Sequence, residues 1–215
     1  AEVIAAKAKE LGSPAYKVIQ AGAKVLGNNK DGIDFSLEDD YYGDTRFHIP
    51  FIAWYQVMNA SLALTTMEVL KDRIPVTMEQ LQAGIANTRW QGRMETILPG
   101  VIVDGAHNED GVRRFVETAE RFQKEYPLTL LFSAVNDKDY QDMIHTICSR
   151  IKFRKVVTTE VGGYREVPSA ELAEIFCKEG CKDVGNSDNI EEAFHMAHEA
   201  KGEDGMLFCV GSLYL

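Results

Sequence analysis

The sequence predicts an α/β fold whose second half contains a mainly parallel β-sheet. After Trp90, apolar runs of strand length alternate with stretches of helical period. Such alternation is typical of a parallel sheet with helices on both faces. The composition, 215 residues with 45% hydrophobic and 26% charged side chains, is that of a globular chain with one large domain or two modest ones.

The first half predicts a mixture of helices and short strands. A helix is predicted over residues 2–12, and Thr77 with Gln80 forms a capping box that opens another over residues 77–87. Residues 50–70 are apolar on most faces, which predicts a long buried helix. Short runs bounded by turn residues predict strands at residues 15–19, 32–38 and 42–49.

The second half repeats a strand followed by a helix. Strands are predicted at residues 101–106, 129–135, 155–161 and 205–215. Helices are predicted at residues 110–122, 139–150, 169–180 and 189–200. Because parallel sheets of this kind bind ligands at the carboxyl ends of their strands, we look for functional residues there and at the junction formed by residues 87–93.

The charge and hydropathy exclude several kinds of partner. The formal net charge is -10, and no local basic patch offsets it, so we expect no nucleic acid and no anionic membrane surface. No apolar run reaches the roughly 18 to 20 residues that span a bilayer, and a signal-peptide pattern is absent. We therefore expect a cytoplasmic protein, a monomer, with its four cysteines reduced.

Both ends of the sequence start or stop inside an apparent element of structure. The first residues already have a helical pattern, and the last five, GSLYL, continue an apolar strand-like run. We therefore expect the chain to be a fragment of a longer protein.

The clearest candidate binding loop is Asp104-Gly105-Ala106-His107-Asn108, between a predicted strand and a predicted helix. An aspartate there can accept hydrogen bonds from ribose hydroxyls. His107 or Asn108 can meet a carboxylate or phosphate beside the positive end of the helix. The alternative is that Asp104 and Asn108 cap the helix and that His107 is merely exposed.

Other candidates carry a weaker signal. Lys138 follows a predicted strand and could present a cation to an anionic substrate, or its neighbour Asp139 could simply cap the next helix. Residues 22–28 have the glycine spacing of a phosphate-binding loop but lack its lysine, so we reject that function. His195 and His198 have no evident third ligand, so we expect no metal site.

Several motifs together, in order and spacing, resemble the folylpolyglutamate synthase family of the Mur ligase superfamily. They are Tyr55-Gln56-x-x-Asn59-Ala60, Trp90-Gln91-Gly92-Arg93-Met94-Glu95, Val103 to Asn108, Asp137-Lys138-Asp139 and the terminal GSLYL. The resemblance departs from the family at Gln91 and Glu109, where proline is usual.

The resemblance implies both a fold and an activity. Residues 1–88 would be the last part of a central ATPase domain, and residues 89–215 the Rossmann-like carboxyl-terminal domain. Members of the family are ATP-dependent amide ligases that use magnesium. They phosphorylate the carboxylate of a folate or dihydropteroate and join it to L-glutamate. Its phosphate-binding loop, magnesium ligands and modified lysine would lie upstream, so we expect this chain to contain no catalytic residue and to be inactive alone.

The resemblance also implies residue roles. Asn59 and Arg93 would contact ATP near the adenine or the phosphates, and Asp104 would contact the ribose. The glutamate pocket would be lined by His107, Asn108, Lys138 and Ser212. Two other functions stay open: another Mur-type amino-acid ligase, or a non-catalytic module that binds a nucleotide or an acidic ligand.

Overall fold

The computed structural model describes residues 2–18, 22–29, 31–163, 165–212 and 215. The chain divides into two compact units. The first unit comprises residues 1–50 and 54–88, and the second comprises residues 51–53 and 89–215. Among the described residues, no helix is long and apolar enough to cross a membrane.

The first unit combines three helices with a small antiparallel sheet. In chain order its elements are α1 (Glu2–Glu10), β1 (Ala23–Asn29), β2 (Gly32–Leu37), β3 (Phe47–Ile49), α2 (Tyr55–Val69) and α3 (Met78–Ala86). The strands lie in the order β1-β2-β3. The phenol of Tyr42 is buried and donates to the Leu64 carbonyl oxygen at 2.7 Å, and burial raises the pKa of that phenol.

The sequence predictions for this unit are confirmed in part. The helix over residues 2–10 is present, and α3 begins with the predicted capping box of Thr77 and Gln80. The strand predicted at residues 15–19 is wrong for residues 15–18, which form no strand, and Ile19 lies outside the described residues. The first strand is instead β1, an edge strand that pairs with β2 through the backbone. One of its seven residues is buried, and its sequence therefore shows no apolar alternation.

The long helix differs from the prediction in its start and in its burial. It begins at Tyr55 rather than Pro50, because the intervening Phe51, Ile52 and Ala53 are buried in irregular backbone. It buries one stripe of side chains, whereas Leu62 is 57% exposed. The prediction that it would be buried on most faces is therefore wrong.

The second unit is a six-stranded sheet with helices. Its elements are β4 (Glu95–Leu98), β5 (Val101–Asp104), α4 (Glu109–Phe122), β6 (Leu128–Phe132), α5 (Tyr140–Arg150), β7 (Phe153–Thr159), α6 (Ser169–Lys178), β8 (Val184–Ser187), α7 (Ile190–Lys201) and β9 (Met206–Val210). The strand order is β4-β5-β9-β6-β7-β8, and every neighbouring pair is parallel except β4 with β5.

Burial explains why this sheet could be predicted. The central strands β6 and β9 are buried at every residue, so each is a continuous apolar run apart from Thr129. Successive residues of β9 contact helices on opposite faces of the sheet. Phe208 packs edge-on against Phe115 of α4, whereas Cys209 lies in a cluster with Ala197 of α7. Helices therefore cover both faces, and the predicted α/β fold with a mainly parallel sheet is confirmed.

Two strands were not predicted, and one ends early. β4 is largely exposed and β8 has the sequence VGNS, so neither edge strand has the apolar signature of a buried one. The strand predicted over residues 205–215 ends at Val210, because Gly211 has a φ of +111° that breaks the extended backbone. Leu213 and Tyr214 of this prediction lie outside the described residues.

Candidate functional site

The predicted site residues of the second unit gather at the carboxyl edge of three neighbouring parallel strands. Asp104, Val210 and Phe132 align across β5, β9 and β6. Backbone hydrogen bonds join the residues that follow these strands, since Gly211 donates to the Ala106 carbonyl at 3.1 Å and Ser133 donates to the Val210 carbonyl at 3.3 Å. The loops that carry His107, Ser212 and Lys138 therefore leave the sheet at the same edge.

Asp104 is the buried anchor of this edge, with 4% of its surface exposed. One carboxylate oxygen accepts the backbone N–H of Met94, and the other accepts that of Ala106, each at 2.9 Å. The residue therefore ties its own loop to the segment before β4. A bound ribose would have to share these two oxygens with the backbone N–H groups that they already accept.

The segment before β4 is held in an uncommon conformation. Met94 has a φ of +50° although its side chain is 1% exposed, and among the described residues it is the one non-glycine residue with positive φ. Gly92, with a φ of +63°, donates to Glu95 and accepts the N–H of Gly105 at 2.7 Å. Hydrogen bonds to the Asp104 loop thus offset the strain of the left-handed backbone.

Arg93 lies between these two residues, and its side chain is half-buried. Within the described part of the chain no acidic side chain forms an ion pair with its guanidinium. A guanidinium without an internal partner can bind phosphate oxygens in a bidentate manner.

His107 is half-buried, and its orientation is fixed by the loop. Its Nδ1 lies 2.7 Å from the Gly105 carbonyl oxygen. Because a carbonyl can accept but not donate, Nδ1 carries a hydrogen, and in the neutral imidazole Nε2 is then the acceptor. The structure thus leaves the Nε2 lone pair for a ligand or a water molecule.

Asn108 has the structural role that the sequence left open as an alternative. Its side-chain oxygen accepts the N–H of Gly111 at 2.9 Å and caps α4, while Glu109 and Asp110 lie in the first helical turn. Asn108 is exposed, and its side-chain oxygen is used by the cap. The predicted contact with glutamate therefore stays a prediction, and it concerns the side-chain amide nitrogen.

The loop after β6 combines a cap, an ion pair and a cation. Asp139 caps α5 by accepting the N–H of Asp142 at 3.2 Å, and Asp137 pairs with Arg165 at 3.1 Å. Lys138 between them is half-buried, and no ion pair within the described residues uses its ammonium group. Both interpretations of this segment are therefore compatible: Asp139 is a cap, and Lys138 is available to an anion.

The loop after β9 brings backbone close to β6. Ser212 is buried, with 5% exposure, and an added Cβ at Gly211 would overlap the Ser133 carbonyl oxygen. Ser133 itself is fully buried, and its hydroxyl has no hydrogen-bond partner in the described structure. Ser133 was not predicted as a site residue, although a serine at the end of the apolar run TLLF is a visible signal.

Asn59, the remaining residue predicted to contact ATP, belongs to the first unit. It lies on an exposed position of α2, and its amide nitrogen donates to the buried Gln56 at 2.8 Å. The predicted contact of Asn59 with ATP is not tested by this geometry and stays a prediction.

Metal ligands are not gathered in the part of the chain that the structure describes. Among the described residues, no group of three or more His, Cys, Asp or Glu side chains is placed to hold a metal ion. His195 and His198 are exposed on α7, where His198 stacks on Phe194 with ring centroids 5.8 Å apart.

Comparisons with known proteins agree with the resemblance seen in the motifs. The model of the family "Mur ligase, glutamate ligase domain" matches residues 92–213. The dihydrofolate synthase/folylpolyglutamate synthase of Bacillus subtilis (strain 168) is 30% identical over 188 residues, which are 84% of this chain and 41% of that protein.

Solved structures give the same fold. A folylpolyglutamate synthase from Thermotoga maritima superimposes with a TM-score of 0.78 at 24% identity, covering 100% of this chain and 49% of that one. One from Mycobacterium tuberculosis, complexed with ADP and AMPPCP, gives 0.76 at 22% identity, covering 99% and 50%. The chain thus spans half or less of the length of these relatives. Because the family model covers more than half of its residues, the chain belongs to the Mur ligase family, through its glutamate ligase domain.

Proposed function

We propose that this chain is the carboxyl-terminal part of an ATP-dependent ligase that joins L-glutamate to a folate or dihydropteroate through an acyl phosphate. The observation that carries the proposal is the shared carboxyl edge of three parallel strands. His107 follows β5, Lys138 follows β6 and Ser212 follows β9, and the buried Asp104 ends β5 at the same edge. The family match and the similarity to the Bacillus subtilis enzyme support this choice of reaction.

The second unit, residues 89–215, would bind L-glutamate at this edge. Lys138 would attract a carboxylate of the amino acid. The Nε2 lone pair of His107 would accept a hydrogen bond from the glutamate amino group and orient it. The amine nitrogen would then attack the acyl carbon, and inorganic phosphate would leave with the electron pair of the broken C–O bond. Holding the amine in place supplies much of the rate, because it removes the entropy cost of a bimolecular encounter.

ATP would be contacted by three of the residues that the motifs single out. Arg93 would hold phosphate oxygens, Asp104 would hold the ribose while positioning the loop, and Asn59 would lie near the adenine or the phosphates. We propose that the first unit, residues 1–88, is the end of a central ATPase domain. Magnesium would neutralise the phosphate charge when bound, and we assign it no ligand on this chain. We further propose that the protein acts as a cytoplasmic monomer.

The test is the activity of the protein that the natural gene encodes, measured as ADP release that depends on both glutamate and a folate. Arg93→Ala should raise the KM for ATP, and His107→Ala should raise that for glutamate, each about 10-fold or more. The reason is that a lost hydrogen bond to a charged group is worth about 1.5–3 kcal/mol. Matched controls are Arg121→Ala and His198→Ala, which alter exposed side chains of α4 and α7.

Other outcomes would point to the alternatives. Turnover with a different amino acid and no folate would indicate another Mur-type ligase. Saturable nucleotide binding without any turnover would indicate a binding module. If both variants kept the wild-type KM values while the enzyme turned over, the residue assignments would be wrong although the reaction was right.

A further inference from the structure

Two of the four cysteines lie against each other. The Sγ atoms of Cys148, on α5, and Cys181, just after α6, are 3.7 Å apart although 33 residues separate them in the chain. Both side chains are half-buried, whereas Cys177 is exposed and Cys209 is buried. The four thiols therefore occupy three different environments, and one of these is a pair.

The position of Cys181 is set by the way α6 ends. The N–H of Cys181 donates to the Phe176 carbonyl at 3.1 Å, and the N–H of Gly180 donates to the Cys177 carbonyl at 3.0 Å. This pattern is a Schellman motif, and it requires the positive φ of Gly180, +93°. The motif turns the chain so that Cys181 meets α5.

A second contact joins the same two helices. His145 lies three residues before Cys148 on α5, and its Nδ1 is 2.9 Å from a carboxylate oxygen of Glu179 at the end of α6. The two contacts therefore both join α5 to the residues that directly follow α6.

We propose that Cys148 and Cys181 are a modification site that forms a reversible intramolecular disulfide. A disulfide requires the sulfurs to close from 3.7 Å to about 2.05 Å, a shift that side-chain rotation and a small helix displacement provide. The proposal is independent of the ligase function and concerns a part of the sheet away from the candidate site. The reason is that α5 begins at the carboxyl edge with Tyr140 and ends, after Cys148, just before the amino end of β7.

The oxidant is a small disulfide such as oxidised glutathione. The thiolate of Cys181 attacks one sulfur of the oxidant and releases one glutathione thiolate. Cys148, deprotonated, then attacks the Cys181 sulfur of the mixed disulfide and releases the second glutathione. Two cysteine thiols are oxidised, one oxidant disulfide is reduced to two thiols, and the two protons pass to the released thiolates.

The surroundings favour this order of attack. The contact between the two sulfurs lowers the pKa of the Cys181 thiol and raises that of the Cys148 thiol. Glu179 opposes ionisation of both thiols by charge repulsion. Cys181 is thus the better first nucleophile of the pair, and Cys148 is the resolving thiol.

The experiment oxidises the full chain with oxidised glutathione and identifies the products by intact mass and by peptide mapping without a reductant. Cys177→Ser is used as the background, because it removes the exposed thiol four residues from Cys181. We expect this variant to become two hydrogen atoms lighter, to yield a cross-linked peptide containing Cys148 and Cys181, and to melt several degrees higher than its reduced form. Reduced glutathione should reverse all three changes.

The pair is then broken in the same background. Adding Cys181→Ser or Cys148→Ser should abolish the cross-linked peptide. In the Cys148→Ser protein, Cys181 should instead keep one glutathione adduct. The proposal is overturned if the Cys177→Ser protein carries glutathione adducts on Cys148 and Cys181 without a cross-link, or if neither thiol is oxidised while the protein stays folded. A wild-type disulfide between Cys177 and Cys181 would overturn it as well.

Discussion

Replacing Asp104 by alanine should destabilise the second unit by more than any ordinary surface change. Its carboxylate is 4% exposed and accepts the backbone N–H groups of Met94 and Ala106, both of which are themselves buried. Alanine would leave two donors without partners in a site that excludes water. It would also release Met94 from the contact that compensates its left-handed backbone.

The magnitude follows from the two lost hydrogen bonds. Each buried donor left without a partner costs about 1–3 kcal/mol. Removing the buried carboxylate returns part of that cost, because its own desolvation is no longer required. We therefore expect the free energy of unfolding to fall by about 3 kcal/mol, which for a chain of this size lowers Tm by about 6–12 °C. Asp104→Asn keeps one acceptor oxygen, and its loss should lie between zero and the alanine value.

The assay is urea unfolding followed by circular dichroism, with thermal melts as a second measure. Asp183→Ala is the matched control: Asp183 forms an exposed ion pair with Lys155 in the same unit, and its loss should cost less than about 1 kcal/mol. If Asp104→Ala and Asp183→Ala destabilise the protein equally, the hydrogen bonds of Asp104 do not hold the loop and the argument fails.

Two further predictions concern the carboxyl edge and the core of the sheet. Gly211→Ala should destabilise by about 3 kcal/mol, because it forces a φ of +111° on alanine and a Cβ against the Ser133 carbonyl. By contrast Gly84→Ala, in α3 with open space around it, should stabilise by about 0.5–1 kcal/mol; equal effects in a urea titration would contradict this. Burial raises the pKa of the Cys209 thiol to about 12. Its contribution to the free energy of unfolding is therefore complete below the unfolded pKa of about 8.5, and it is lost as the pH rises from there through the folded pKa. Between pH 8.5 and pH 10 the wild type should lose about 1.5 kcal/mol more stability than Cys209→Ala, and parallel urea curves across that range would refute it.

The fold could be predicted for those strands and helices whose burial produces a recognisable apolar pattern in their sequence. β6 and β9 are apolar because both of their faces are covered, and α4 has one apolar stripe because one face is covered. β4 and β8 were missed because an edge strand is specified by backbone pairing with its neighbour, which leaves no period in the side chains. The same reason explains why β1 was not recognised.

The site could be predicted where its residues are adjacent in sequence. The loop from Asp104 to Asn108 was placed correctly, because a strand and a helix flank it and the helix cap is local. The bond from Asp104 to Met94 was not foreseen, because it closes across the β4–β5 hairpin and depends on the register of that pair. Ser133 was missed for a related reason: its burial becomes apparent when β9 and its glycine are placed beside β6.

The distribution of energetic cost supports the carboxyl edge as the functional part of this unit. A left-handed Met94, the close backbone approach at Gly211 and the unpartnered hydroxyl of Ser133 each cost stability, and all three flank this edge within the described residues. A valine or alanine at position 133 would remove one of these costs without a change in backbone. The described residues hold one further buried hydroxyl without a partner, that of Thr129 in β6, so it is the three costs together that indicate a ligand. The hydroxyl of Ser133, which follows β6 at this edge, would then find a hydrogen-bond partner in a bound amino acid.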